Sequence, residues 1–146
     1  IADINMGTNV LYRYSLPRGE SSLTETLVGS TENGTFYYTP SISLKLNQLE
    51  ADYQNQVRLL GTTKLIIFAQ LNQQYTNGHD VIVCMGPQNG MRLNSGTNAS
   101  GAAWGDSNGM NWTFDGMEGL PMGIVADYTT DPFDNTAFTL GTTVIT

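Results

Sequence analysis

Between Phe36 and Leu46 every second residue is apolar, aromatic or proline: Phe36, Tyr38, Pro40, Ile42, Leu44 and Leu46, with Tyr37, Thr39, Ser41, Ser43 and Lys45 between them. A period of two marks a strand with one face on a core and the other toward solvent. Pro40 has no N–H for a ladder, which predicts a sheet edge, a bulge or a strand start at that point. At Leu46 the period changes. Leu46, Leu49, Tyr53, Val57 and Leu60 lie three or four apart, and Gln48, Glu50, Asp52, Asn55 and Arg58 fill the opposite face. Asn47 with Glu50 has capping-box spacing and Gly61 suits a C-terminal cap, so the pattern predicts one helix over about residues 47–60.

The remainder reads as strands and turns. Lys64–Leu71 is apolar on both faces, which predicts a central strand. Thr76-Asn77-Gly78 then turns the chain into Val81–Met85, giving a hairpin. Gly86–Gly90 is a further turn, leading into a strand over Met91–Asn94. Met110, Trp112 and Phe114 alternate with Asn111, Thr113 and Asp115 as another half-buried strand, and Phe138–Thr146 suits a terminal strand. Leu16–Thr35 and Tyr128–Phe138 lack periodicity and are expected as long loops. With no repeat and no flexible linker, the expectation is a single β-rich domain over residues 1–146 with a long loop near 16–35.

Charge is unevenly placed. The net charge is −7, and Arg92 is the last basic residue. Asp106, Asp115, Glu118, Asp127, Asp131 and Asp134 follow it unbalanced, whereas the first 92 residues hold seven acids against six bases. Such a half repels nucleic-acid phosphates; ordinary solubility is the plainer reading of the same charge. Cys84, the one cysteine, sits in the apolar run Val81–Met85 and is expected as a core residue. No apolar run approaches the roughly 20 residues of a membrane-spanning helix, and no basic-then-apolar leader is present. The chain starts at Ile1 without an initiator methionine, which leaves upstream trimming open.

Few residues have the spacing that chemistry demands. Gly105-Asp106-Ser107-Asn108-Gly109 has the outline of a serine-protease nucleophile frame. Asn108 breaks that frame, and His79, the one histidine, belongs to a hairpin turn, so Ser107 reads as a turn residue. One His and one Cys do not make a zinc site, and Asp106–Gly109 lacks the later glutamate of a calcium loop. The glycines of Gly96–Gly109 lack the lysine and strand-to-helix context of a phosphate loop. Paired carboxylates of a glycosidase discriminate nothing among 13 acids. The expectation is no catalytic residue, no metal and no cofactor. Trp104 and Trp112 suit core packing or subunit contact, with an extracellular carbohydrate-binding β-sandwich as the alternative.

The segments YYTPSISLKLNQL, TTKLIIFAQLNQ, DVIVCMGPQNGMRLNSG and SGAAWGDSNGMNWTFDGMEGLPM, in that order from about Thr35 to Met122, resemble virion structural proteins of tailed bacteriophages, most of all tail-tube proteins. The resemblance implies a β-sandwich or barrel with one flanking helix and long loops. It further implies a non-enzymatic subunit that assembles with itself, and with other virion proteins, into stacked rings. DNA would pass through them without specific binding during ejection. Localisation would be the phage tail, assembled in the bacterial host cytoplasm, with no membrane partner. On that pattern Asp106, Asp115 and Glu118 are candidate lumen acids, and Glu20, Glu25, Leu27 and Glu32 belong to a candidate inter-ring loop. Tyr12, Tyr14, Trp104 and Phe133 are candidate intersubunit aromatics, with burial in the subunit's own core as the even alternative. A head-to-tail connector, tail-completion or capsid decoration protein is the nearest other virion role.

Overall fold

The computed structural model describes residues 12–47, 49, 51–125 and 143–145. The described chain is mainly β with antiparallel sheets and one short helix, as the two periodicities predict. Its strands are β1 (Tyr12–Tyr14), β2 (Ser22–Ser30), β3 (Thr35–Asn47), β4 (Ile67–Gln74), β5 (Asp80–Met85), β6 (Arg92–Ala99), β7 (Gly109–Asp115), β8 (Gly123–Ile124) and β9 (Thr143–Ile145); the helix α1 is Ala51–Leu60. They fall into two compact units. One comprises Leu16–Ile67 and Met85–Met122; the other draws on Ile1–Ser15, Phe68–Cys84 and Gly123–Thr146.

The first unit is built on a four-stranded antiparallel sheet in the order β2-β3-β7-β6. Ile42, Leu44 and Leu46 of β3 stand opposite Phe114, Trp112 and Met110 of β7, so the alternating rows of both strands share one face. Ile42, Leu46, Met110, Trp112 and Phe114 are buried there, together with Met85, Met91 and Pro40. The apolar area this face removes from water is the main stabilising contribution of the unit.

Pro40 leaves a readable gap. Tyr38 and Glu118 exchange both backbone hydrogen bonds at 2.8 Å, which continues the β3–β7 register past the end of β7. Two residues on, Gly116 N–H donates to Pro40 C=O at 3.1 Å, and the return bond is missing because proline has no donor. Pro40 thus breaks one rung inside a strand of an inner position, where the sequence pattern predicts a sheet edge, a bulge or a strand start; the missing donor costs a single hydrogen bond because Glu25 and Gly116 still face it on either side.

The strand expected over Met91–Asn94 runs on as β6 to Ala99 because β7 pairs it as far as Gly109, and three further features differ from the sequence expectation. Asn47 does not cap the helix, since it is the last residue of β3, paired with Gly109, and α1 begins at Ala51. The ladder with β7 takes Leu46 and Asn47 before the helix can. Its C-terminus is as expected: Gly61 N–H reaches Val57 C=O at 2.9 Å, and the Thr62 and Thr63 hydroxyls both donate to Leu59 C=O at 3.0 Å. Secondly, the stretch expected as a loop over 16–35 contains β2, which pairs with β3 from Ser22 opposite Ser43 to Ser30 opposite Thr35. Turn Thr31–Gly34 joins the two strands, with Gly34 at a positive φ of 63°.

The third difference concerns the second unit, whose sheet runs β4-β5-β8. The run around β4, expected as a central strand, lies at the edge, and β5 is central with Val81, Ile82, Val83 and Cys84 all buried. Beyond Leu71, β4 turns polar in Asn72, Gln73 and Gln74, a composition that tolerates an open edge. The hairpin turn between them is as expected: Tyr75 N–H bonds His79 C=O at 2.8 Å and Gly78 has a φ of 87°. The Tyr75 hydroxyl donates to Val125 C=O, and β1 pairs in parallel with β9. Tyr128–Phe138 and most of the expected terminal strand lie outside the described residues.

A glycine fixes how closely β3 and β7 meet. A Cβ on Gly109 would lie 2.2 Å from the Leu46 carbonyl oxygen, whereas one on Gly29 in β2 would make an ordinary 3.7 Å contact with Phe36 Cβ. Gly109→Ala is expected to lose about 2 kcal/mol in urea denaturation, the usual scale for overpacking. Gly29→Ala should stay within about 0.5 kcal/mol of the parent.

Candidate functional site

On its β7 side β3 last pairs at Tyr38, with Glu118, whereas pairing with β2 runs on to Ser30, so from the Leu27–Tyr38 pair outward the hairpin leaves the sheet as a two-stranded arm. Along β2 the residues opposite Ile42, Pro40, Tyr38 and Phe36 are Leu23, Glu25, Leu27 and Gly29. Strand alternation places all of them on the face that is buried lower in the sheet. On the arm that face is open: Leu27 is 59% exposed and Phe36 62%. Phe36 packs edge-on against Tyr38, ring centroids 6.0 Å apart, which holds both rings in place.

The expected inter-ring residues separate on this frame. Glu20 pairs with Lys45 at 2.9 Å, and Glu25 accepts a 2.7 Å hydrogen bond from Met122 N–H, so both carboxylates act within the chain. Leu27 lies on the open face of the arm and Glu32 in its exposed end turn.

The candidate lumen acids separate too. Glu118 is 3% exposed and cannot offer its charge to a channel, a correction to the expectation. Its backbone rung with Tyr38 continues the inward row Met110, Trp112, Phe114 and Gly116 by one more step. Carrying the same alternation two residues past Gly116 would have found it. Its Oε1 accepts from Asn89 N–H at 3.0 Å and Gly90 N–H at 3.2 Å, and its Oε2 from Gln88 N–H at 3.2 Å. The carboxylate therefore shapes the Gly86–Gly90 turn, which Asn89 Nδ2 also ties to Met117 C=O at 2.7 Å.

Asp115 is half-buried on the outward face, opposite Arg92 in the β6–β7 ladder, and accepts from Asn94 Nδ2 at 2.6 Å. Between Leu93 and Ser95 the ladder carries an irregularity at Asn94. Beside these residues lies a cleft of about 500 Å³ lined by Lys64 and Arg92 with Asp115, Asn89, Met117 and Thr39. The turn that Glu118 shapes forms one wall of it. Neither Lys64 nor Arg92 makes an ion pair among the described residues.

Asp106 is exposed in the loop between β6 and β7, and its Oδ2 accepts from Ala102 and Ala103 N–H, each at 2.8 Å. The Ala103 bond first and the Ala102 bond second hold its carboxyl below the ordinary value of 3.8. Gly101, at a φ of 74°, lets the loop close on Asp106, since a Cβ there would stand 2.8 Å from Asp106 Cβ. The loop presents Trp104 fully to solvent at 109% exposure, and Ser107 follows in the same exposed stretch. Trp112 is 1% exposed and belongs to the core, which removes it from any sugar-binding surface. Tyr12 is exposed and Tyr14 half-buried, both in β1, while Phe133, Asp127, Asp131 and Asp134 lie outside the described residues. No group of acids, His or Cys suited to a metal ion occurs among the described residues.

Two predictions follow from these carboxylates. Glu118→Ala strands three turn amides and is expected to lose roughly 3 kcal/mol in urea denaturation, with Glu118→Gln, which keeps one acceptor oxygen, losing less. In an NMR titration Asp106 should protonate below 3.8, and the Ala102 and Ala103 amide shifts should move with the same midpoint. Its stabilisation of the loop is full above the ordinary Asp value and disappears as pH falls through that lower midpoint. Compared with known protein families, curated proteins and solved structures, the chain matches none.

Proposed function

We propose that this chain is a virion structural protein that assembles with itself into stacked rings forming the tail tube of a bacteriophage. The observation that carries the reading is the β2–β3 arm. Its outer half continues the core face of the sheet into solvent, with Leu27 and Phe36 uncovered and held in register. A stripe of that kind is stable in water only at a cost, and contact with a neighbouring subunit removes it. A contact between an arm and a different surface of the next copy is heterologous, and contacts of that type close into rings or extend into filaments.

The likeness of the Thr35–Met122 segments to tail-tube proteins supports the same reading, as does the acid-rich region after Arg92. In a tube, Asp106 is the lumen acid of choice, being exposed and held in its charged form by two amides. A negative wall lets DNA slide without adhering. Among the described residues no helix is long and apolar enough to cross a membrane.

One observation favours a second reading. Trp104 stands fully exposed on a loop ordered by Asp106, which is how a carbohydrate-binding module offers a stacking platform. Glycan-array binding lost in Trp104→Ala with the fold retained would support it.

Negative-stain electron microscopy of the purified protein at high concentration tests the main proposal. Long hollow filaments are expected. Isolated rings would instead favour a head-to-tail connector, and a chain that stays monomeric would contradict assembly altogether.

A further inference from the structure

We infer that the cleft between Lys64 and Arg92 receives the carboxylate of Glu32 from the arm of a second copy. The inference rests on the self-assembly reading above and names the contact that assembly would use. In this unit Glu20, Glu25, Asp106, Asp115 and Glu118 are all engaged within the chain by an ion pair or hydrogen bonds. Asp52 lies in the first turn of α1, where the helix dipole favours it. Among the described residues Glu32 has neither kind of support; it stands at the exposed end of the arm.

The cations show the complementary pattern. Lys45 is paired with Glu20 and Arg58 sits at the C-terminal end of α1; Arg18, Lys64 and Arg92 have no ion pair among the described residues, and of these Lys64 and Arg92 share one cleft whereas Arg18 stands singly in an exposed turn. Asp115 offsets one of the two charges and already accepts from Asn94, leaving the cleft with a net positive charge. For a chain of net charge −7, most surface-to-surface approaches are repulsive, and a contact through this cleft is attractive.

Geometry assigns the partner to another copy. Thr39 lines the cleft at the root of the arm, and the four strand steps from Thr39 to Thr35 span roughly 13 Å before the turn begins. The arm carries Glu32 away from its own cleft. Met117, 64% exposed at the cleft's edge, offers apolar surface to the Leu27 and Phe36 that arrive with the arm. A guanidinium and an ammonium flanking one carboxylate supply directional and point-charge attraction together.

The test compares assembly of the parent, Glu32→Lys, the Lys64→Glu/Arg92→Glu pair, and the combination of all three, by sedimentation velocity and electron microscopy. Glu32→Gln serves as a milder variant, and circular dichroism checks that each surface variant is folded. Each reversal is expected to weaken assembly at least tenfold, and the triple variant, which restores opposite charges, to recover most of it. Parent tubes with reversals that leave assembly unchanged would overturn this contact while the tube reading stands. Loss in both reversals without recovery in the triple variant would also overturn it. A parent that never assembles would overturn both.

Discussion

Two neighbours share the thirteen-residue strand β3, and the first unit depends on the register in which they do so. On one side β2 follows it for its whole outer length; on the other β7 follows it up to Ser41, and Glu118 rejoins after the rung that Pro40 cannot complete. One alternation thus decides at once which side chains make the core, where Glu118 is drawn inward, and which residues the arm carries out uncovered. A slip of one residue would exchange the two faces along the whole strand. The close approach at Gly109 and the hydrogen-bonded exchange between Tyr38 and Glu118 hold the register at its two ends.

The same chain of causes links the core to the surface. Glu118 lies on the inward row, and from there it gathers the amides of Gln88, Asn89 and Gly90. Those amides belong to the turn that walls the cleft of Lys64 and Arg92. A buried carboxylate therefore sets the shape of an exposed cationic site without touching what the site would hold. The arm and the cleft both begin beside Pro40, where Thr39 lines the cleft and the Tyr38–Glu118 exchange is the last pairing on that side of β3.

The periodic parts of this unit were legible in the sequence, because burial on one face forces alternation. Phe36 to Leu46 and Met110 to Phe114 read directly as strands, and α1 read as a helix because Tyr53 and its neighbours keep helical spacing. Its start was misjudged: a local capping pattern at Asn47 lost to a long-range ladder with Gly109. β2 was illegible for a different reason. Its inward positions are Leu23, Glu25, Leu27 and Gly29, so a carboxylate and a glycine interrupt the apolar period, and pairing with β3 supplies the order that composition does not. The edge position of β4 depends on which strands meet, a fact that no single strand's composition contains. Charge was visible in the sequence, but its engagement was not. Six acids after Arg92 look alike on paper, and hydrogen bonds separate Glu118, Asp115 and Asp106 into a buried clamp, a cleft wall and a loop brace.

The central claim is that the arm's open face is covered by another copy of the chain. Hydroxyl-radical footprinting of the assembled and dissociated protein, read at Leu27 and Phe36, tests it most directly. Modification of Leu27 and Phe36 should fall several-fold on assembly, in contrast to core residues such as Trp112, which are protected in both states. Equal modification of the arm in the assembled and dissociated states would contradict the account.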